Sequence, residues 1–328
     1  MNYTGNHRSG WLTSVPDTIL PFVQLARLSP PAGLFLIYFP HMFGLLLGAI
    51  LTDSSLNPTA IIHASLQLLG ASFFVSNAIH AWNDLIDAPL DALVERTRRR
   101  PIPRGAISPP AAFLFVLSQA LGALLFLPCM PGGFLHASQY ALPGILGWMY
   151  YPWAKRHTYY PQLVLGLCLS WGVVMGCLII GLPVMSVAGN GDIPDSSSAP
   201  AAATFCMFGS CTLWTMIYDT IYAHQDLADD RKAGIKSLAV LHGGDTKPLM
   251  WRLLSAMAGL LLLCGWFAGL SVVYYLVSVL GAVGSLGVLV WKVDLTSSDS
   301  CWWWFGNGFW LVGLSIVGGL VMELVLGR

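Results

Sequence analysis

Charge is what this sequence has least of. Only 10% of its 328 residues are charged, whereas 55% are hydrophobic and the mean hydropathy is +0.66. A soluble domain usually carries about 25% charged residues, so most of the surface of this chain is suited to lipid rather than to water. The formal net charge of zero says nothing about a partner, although the placement of the charges does, and we expect the chain to contact the lipid bilayer and no nucleic acid.

Cysteine motifs and targeting signals are also missing. The seven cysteines form no CxxC pair and no Cys/His set with zinc spacing, which argues against disulfides and thiolate metal sites. The polar N-terminus lacks the apolar core of a signal peptide and the long basic stretch of a mitochondrial transit peptide. We therefore expect the endoplasmic reticulum or another internal membrane.

Long apolar runs are abundant. A membrane-spanning helix needs about 20 mostly apolar residues, and nine runs qualify as candidates. They lie at 33–51, 58–82, 110–128, 132–151, 162–183, 201–222, 248–268, 270–291 and 303–326. The sequence thus predicts an all-α, polytopic membrane protein, with a cytosolic N-terminal segment at 1–32 and a transmembrane domain at 33–328.

The basic residues are distributed unequally between the connections. Those after the first, third and fifth apolar runs contain no Lys or Arg, and fifteen of the sixteen basic residues fall on the other side, Arg328 being the exception. The positive-inside rule makes the basic side cytosolic. Trp302 to Phe305 are typical of an interfacial aromatic belt at the start of the last span.

Two aspartate-rich stretches at 83–91 and 226–230 hold six of the sixteen acidic residues. A carboxylate inside a bilayer costs roughly 2.5–3.5 kcal/mol on insertion scales, so acids placed at helix ends require a reason. Asn83, Asp87 and Asp91 are spaced i, i+4, i+8 and would share one helix face, unless Pro89 kinks the helix. Asp226 and Asp230 repeat the i, i+4 spacing.

Oxygen ligands without His or Cys suit Mg²⁺, which usually takes one or two carboxylates and completes its shell with water and phosphate. Two aspartate sets facing one another would therefore hold a metal-bridged diphosphate. The basic residues Arg96, Arg100, Lys155 and Lys236 are candidates to neutralise a diphosphate leaving group. Arg98, Arg99 and Arg104 are better explained as determinants of topology.

At this point the sequence resembles the UbiA superfamily of intramembrane prenyltransferases. Residues 83–91 match its NDxxDxxxD motif, and 96–105 resemble the RTxxRPxxxG motif that follows. Residues 151–156 resemble YPxxKR, and 218–237 resemble the YDTxYAxxDxxxD…GIKS block of the 4-hydroxybenzoate polyprenyltransferase branch. The motifs occur in the family's order, and the nine-span layout extends the resemblance over nearly the whole chain.

The resemblance implies a bundle of nine helices around a central cavity and Mg²⁺-dependent transfer of an isoprenyl group to an aromatic ring. Its partners would be an isoprenyl diphosphate and an aromatic small molecule. The metal–diphosphate set carried over is Asn83, Asp84, Asp87, Asp91, Asp226 and Asp230, of which Asp87, Asp91, Asp226 and Asp230 are taken as catalytic. The substrate-binding set is Asn83, Arg96, Arg100, Tyr151, Lys155 and Lys236.

Within the superfamily, residues 38–44 and the short N-terminus resemble fungal meroterpenoid enzymes, which attach farnesyl to an aromatic polyketide. We expect that activity, with 4-hydroxybenzoate polyprenylation as the alternative. A cation-coupled transporter is a rival of another class, but it predicts acids near the middle of the membrane. A CDP-alcohol phosphotransferase would need an Asp-Gly-x-x-Ala-Arg element between its acids, which is absent from this sequence.

Overall fold

The computed structural model describes residues 6–52, 57–182 and 199–326. Their α-helices are α1 (Leu20–Leu25), α2 (Ala32–Leu51), α3 (Pro58–Asp91), α4 (Pro109–Leu124), α5 (Gly133–His157), α6 (Pro161–Ile179), α7 (Ala199–Ala223), α8 (Leu227–Ala233), α9 (Leu238–His242), α10 (Thr246–Phe267), α11 (Val272–Tyr274), α12 (Leu280–Lys292) and α13 (Ser298–Leu326). A π-helical turn joins α11 to α12. Within these ranges there is no strand, which confirms the all-α prediction. Arg328 and most of the connection before α7 lie outside the described residues.

Each predicted span corresponds to helical structure in the described residues, apart from a few residues near its ends. Eight stretches of the described chain are long and apolar enough to cross a membrane. The predicted span 132–151 corresponds to α5, which has 25 residues but is less apolar and contains Pro143 and Pro152. Because α5 packs on α3 and α6, it belongs to the same bundle, and the chain is an integral membrane protein.

Helix α2 is the central element of the packing. It contacts α3, α6, α7 and α13, and its approach to α6 is especially close. A Cβ added to Gly44 would overlap the carbonyl oxygen of Val173, and one added to Gly176 would overlap that of His41. Glycines at such a crossing let two helix backbones touch, as is common in membranes.

Helix α3 continues nine residues past its predicted end. Asn57 accepts a hydrogen bond from Thr59 at its start, and the helix then runs through Pro89 to Asp91. Pro89 lies in the last turn, where it cannot donate to the Leu85 carbonyl, yet the helix does not end before Asp91. Asn83, Asp87 and Asp91 therefore stay on a single helix.

The second acidic stretch is not one continuous helix. Helix α7 ends at Ala223, a 3₁₀ turn follows, and Asp226 caps α8 with non-helical dihedrals (φ −112°, ψ 8°). The i, i+4 spacing of Asp226 and Asp230 therefore does not arise from a straight helix. Gly234 ends α8 in the left-handed region with φ 71°, which glycine adopts without steric cost.

Candidate active site

A cavity lies at the end of the bundle that carries both acidic stretches. It has an empty volume of about 1420 Å³, including its open mouth. Residues of α2, α3, α5, α6, α7, α8 and α13 line it together with the connections after α3 and α8. Ten of the predicted site residues are among them: Asn83, Asp87, Asp91, Arg96, Arg100, Tyr151, Lys155, Asp226, Asp230 and Lys236.

The aspartates of α3 are paired with cations from other parts of the chain. The Lys155 ammonium donates to Asp87 Oδ2 at 2.7 Å, and Arg100 Nη1 donates to Asp91 Oδ2 at 2.8 Å. The side chains of Asp87 and Asp91 are only 2% and 10% exposed. Burial makes each of these charges depend on its partner.

Arg96, five residues after the first acidic stretch, is bonded to the second. Its Nε donates to Asp226 Oδ1 at 2.8 Å, its Nη2 donates to Asp226 Oδ2 at 2.5 Å, and its Nη1 donates to the Tyr222 hydroxyl at 2.9 Å. Burial lowers the pKa of the Arg96 guanidinium, but Tyr222 and Asp226 raise the pKa by more, so it lies above its ordinary value. Arg96 therefore remains a fixed positive charge at the mouth of the cavity.

Asp84 is placed differently from the other predicted metal ligands. It is 1% exposed and is absent from the cavity lining. Its Oδ1 accepts hydrogen bonds from Arg27 Nη2 at 2.7 Å and from Arg100 Nη1 at 3.0 Å. The carboxylate of Asp84 thus anchors two arginines that do line the cavity.

Two acceptor oxygens on the cavity-lining face of α3 are buried without a hydrogen-bond partner among the described residues. They are Oδ1 of Asn83 and Oδ1 of Asp87, and the Arg156 guanidinium lies 3.7 Å from the latter. Such oxygens fit a hard cation. No three Asp, Glu, His or Cys side chains converge on one point within the described residues. The donor set therefore fits Mg²⁺ with one or two protein ligands per ion and the rest from water and phosphate.

Lys236 and Tyr151 complete the polar wall. The Lys236 ammonium donates to the His157 carbonyl at 3.4 Å, and the Lys236 backbone N–H donates to the Lys155 carbonyl at 2.9 Å. The Lys155 ammonium lies 5.4 Å from the centre of the Tyr151 ring. The connection before α9 thereby closes over the end of α5.

Below the charged rim the lining becomes apolar. Its members there are Leu36, Ile37, Ile79, Trp148, Leu165 and Leu169. The cavity is thus amphipathic, with five acids and five basic side chains near its mouth and hydrocarbon side chains deeper. An ion path would instead need acids along the bundle, which the described residues of this cavity do not provide.

Some lining residues were not predicted as site residues. Arg27 was interpreted only as a topology residue, yet it lines the cavity and has a positive φ of 53°. An arginine rarely occupies this region, and this strain was not visible in the sequence. Trp302 and Phe305 line the cavity rather than serving only as a belt, while Trp303 is 54% exposed. Tyr218, Asp219 and Tyr222 also line the cavity, and their place in the YDTxYA motif was the local signal that could have identified them.

Comparisons with known proteins agree with this geometry. The model of the "UbiA prenyltransferase family" matches residues 30–313. The chain is 35% identical to the mitochondrial 4-hydroxybenzoate polyprenyltransferase of Caenorhabditis elegans, covering 97% of this chain and 82% of that protein. It is 33% identical to the UbiA prenyltransferase claS of Ampulloclitocybe clavipes, covering 92% and 90%.

A solved structure shares the fold. A UbiA homologue from Archaeoglobus fulgidus, bound to GPP and Mg²⁺, superposes with a TM-score of 0.63 at 17% identity, over 92% of this chain and 99% of that one. The family match spans most of the chain, and the bundle, its cavity and the acidic stretches are arranged accordingly. The chain therefore belongs to the UbiA prenyltransferase family and is a membrane-embedded prenyltransferase.

Proposed function

We propose that this protein transfers a farnesyl group from its diphosphate to a carbon of a phenolic polyketide, with Mg²⁺ as cofactor, in meroterpenoid biosynthesis. The observation that carries the proposal is the amphipathic cavity, in which acids and cations surround the mouth and apolar side chains line the depth. An isoprenyl diphosphate is likewise charged at one end and apolar along its tail. Relatives named as prenyltransferases, and a structural neighbour bound to GPP and Mg²⁺, support it.

The proposed roles follow the contacts. Asn83, Asp87, Asp91, Asp226 and Asp230 hold the magnesium-loaded diphosphate, and Arg96, Arg100, Tyr151, Lys155 and Lys236 contact its phosphates. When bound, Mg²⁺ supplies Lewis-acid stabilisation of the leaving group. Asp84 acts indirectly, because its carboxylate is engaged by Arg27 and Arg100.

The chain's own residues then promote ionisation. As the bond between the prenyl carbon and the diphosphate oxygen breaks, the electron pair leaves with the diphosphate, and nearby cations stabilise the growing negative charge. The apolar depth keeps water from the allylic cation. A carbon of the electron-rich ring forms the new C–C bond and then loses its proton to a basic oxygen at the mouth, which restores aromaticity.

The alternative is 4-hydroxybenzoate polyprenylation. The relative from Caenorhabditis elegans carries that name, and the two activities use the same chemistry. They differ in the tail, which is longer in polyprenyl transfer, and in the acceptor. Turnover of 4-hydroxybenzoate with a long polyprenyl diphosphate, in preference to farnesyl diphosphate and a phenolic polyketide, would favour the alternative.

We also infer that the cavity opens toward the cytosol, in the endoplasmic reticulum or another internal membrane. The mouth is built from the connections after α3 and α8 and from the end of α5, which carry Lys and Arg, and the positive-inside rule assigns such segments to the cytosol. Cysteine labelling of Ser108 and Lys292 variants in sealed vesicles tests the side, and fractionation tests the membrane.

The experiment for the function uses membranes that contain the protein. They are incubated with Mg²⁺, with geranyl, farnesyl or geranylgeranyl diphosphate, and with a panel of phenolic acids, and the products are identified by mass. We expect C-prenylated product that disappears with EDTA and in Asp87→Ala and Asp226→Ala. Asp17→Ala is the matched control, since Asp17 is exposed and pairs with Arg8. Wild-type rates in both cavity variants would overturn the site.

A further inference from the structure

One polar side chain of the cavity has no part in binding diphosphate or an apolar tail. His80 of α3 lines the cavity and is the only histidine among its lining residues in the described chain. We propose that His80 Nε2 accepts a hydrogen bond from the ring hydroxyl of the aromatic acceptor and so positions the carbon to be alkylated. The inference rests on the proposed function and adds to it a residue that selects phenols.

Asn83 and Tyr151 are assigned to the diphosphate site, and three further neutral polar side chains of the lining already have structural partners. Gln162 Oε1 accepts from the Leu238 N–H at 3.0 Å, and Thr97 Oγ1 donates to the Asp91 carbonyl at 3.0 Å. Ser237 Oγ caps α9 by accepting from the Val240 N–H at 3.1 Å. These bonds fix the walls of the cavity, so their side chains are not available to a ligand without loss of a wall contact.

The imidazole of His80 is held in place from one side. Its Nδ1 lies 3.2 Å from the Ser76 Oγ, one helical turn earlier on α3. No hydrogen-bond partner of its Nε2 is found in the described part of the chain. When Nδ1 carries the proton and donates to Ser76, Nε2 is an acceptor, which is the form that receives a phenolic O–H.

The opposite side of the ring is fixed by Gly33 at the start of α2. A Cβ on Gly33 would stand 2.6 Å from His80 Nε2, closer than side-chain atoms approach. Both residues line the cavity. The absence of a side chain at position 33 is therefore what lets the imidazole occupy its present position.

His80 also lies at a suitable depth. It precedes Asp87 by seven residues on the same helix, which corresponds to a rise of about 10 Å. Asn83, the nearest residue proposed to hold the magnesium-loaded diphosphate, is three residues away, a rise of about 4.5 Å, so the imidazole lies deeper in the bundle than the proposed magnesium-binding residues. A hydrogen bond to the hydroxyl increases electron density at the ortho and para carbons, which are the carbons that attack an allylic cation.

The test compares His80→Ala and His80→Gln with wild type, using the phenolic acid that gives product and its aryl methyl ether. We expect His80→Ala to raise the KM for the phenol about tenfold or more, with the KM for farnesyl diphosphate unchanged. His80→Gln retains an acceptor oxygen and should recover part of the loss. Wild type should prefer the phenol strongly over its methyl ether, and His80→Ala should lose much of that preference.

A second variant displaces the imidazole without changing its chemistry. Gly33→Ala should raise the KM for the phenol as His80→Ala does, while Gly284→Ala, whose Cβ would meet nothing within 4 Å, should not. An unchanged phenol KM and unchanged methyl-ether discrimination in His80→Ala would overturn the inference while leaving the proposed function intact. Absence of any prenyl transfer in wild type would instead refute the function itself.

Discussion

At the scale of single residues, Arg96 shows why charge alone does not describe this site. Its guanidinium donates to the Asp226 carboxylate at 2.8, 3.1 and 2.5 Å and to the Tyr222 hydroxyl at 2.9 Å. The side chains of Arg96 and Asp226 are 9% and 12% exposed. A lysine would keep the charge but has no planar fork to reproduce this geometry.

We therefore expect Arg96→Lys to lower kcat/KM by about 10- to 100-fold, corresponding to one or two lost charge-assisted hydrogen bonds. Steady-state kinetics with farnesyl diphosphate would measure it. The matched control is Arg98→Lys, because Arg98 is 54% exposed and pairs only locally with Glu95 among the residues described. Equal activity of the two variants would contradict a special role for the guanidinium of Arg96.

At the scale of helices, the close crossing of α2 and α6 determines where the cavity wall stands. Gly44 and Gly176 each face a backbone carbonyl of the other helix. Backbone atoms cannot rotate away as a side chain does, so a methyl group at either position must push the helices apart. Leu36 and Leu165 of the cavity wall belong to these same two helices.

Gly176→Ala should destabilise the protein by about 1–3 kcal/mol, the usual cost of overpacking, and should also lower activity. Thermal unfolding in detergent and prenyl-transfer rates would measure the two effects. Gly259→Ala of α10 is the control, since a Cβ there would meet nothing within 4 Å and alanine favours a helix over glycine. A Gly176→Ala protein as stable as the control would argue against the tight crossing.

The other end of the bundle is stabilised by a buried acid. Glu323 of α13 is 9% exposed and accepts hydrogen bonds from the backbone N–H groups of Ser271 and Tyr274, both at 3.1 Å, and from the Ser271 hydroxyl at 2.5 Å. These donors belong to the start of α11. The carboxylate thus satisfies a helix N-terminus whose N–H groups have no partner within the helix.

Glu323→Gln replaces one acceptor oxygen with an amide NH₂ group, which cannot accept a hydrogen bond from these donors. We expect a loss of about 1–3 kcal/mol in unfolding free energy. Activity at low temperature should be unchanged, because Glu323 lies eighteen residues beyond Phe305 on α13, about 27 Å from the cavity end. Thermal unfolding measures the loss, with Glu95→Gln as an exposed control. A fall in activity without a fall in stability would contradict this structural role.

At the scale of the whole molecule, the cavity is assembled from charges that neutralise one another. Asp87 pairs with Lys155, Asp91 with Arg100, and Asp226 with Arg96. If these basic side chains bind a diphosphate instead of the aspartates, carboxylate oxygens become free to bind Mg²⁺. Likewise, Mg²⁺ bound to the carboxylates leaves the basic side chains free to bind a diphosphate. The binding of one should therefore favour the binding of the other, and thermodynamic linkage requires the two effects to be equal.

We predict that Mg²⁺ alone binds weakly and that it raises the affinity for a non-hydrolysable farnesyl thiodiphosphate by at least about tenfold, a coupling of about 1.4 kcal/mol or more. Isothermal titration of the detergent-solubilised protein measures both ligands separately and together. A titration of Mg²⁺ into inorganic pyrophosphate without protein measures the magnesium–pyrophosphate complex that forms in solution, and this contribution is subtracted. Additive binding, with no coupling beyond that correction, would disprove the exchange of partners.

Much of this protein was determined by its sequence alone. Apolar composition and run lengths predicted a helical membrane bundle because a helix in lipid needs only local hydrogen bonds and an apolar surface. The unequal distribution of Lys and Arg placed both acidic stretches on one side, and the motif spacing indicated the family. These properties depend on residues close together in the chain.

Only the tertiary structure decided which charges meet and which side chains face the cavity. Arg96 reaches Asp226 across 130 positions of sequence, Asp84 turns from the cavity to Arg27 and Arg100, and His80 faces Gly33. The physical reason is that these pairings depend on how each helix is rotated, where it ends and how closely it packs on its neighbours. Close packing between distant segments sets those variables, and no local pattern of residues specifies them.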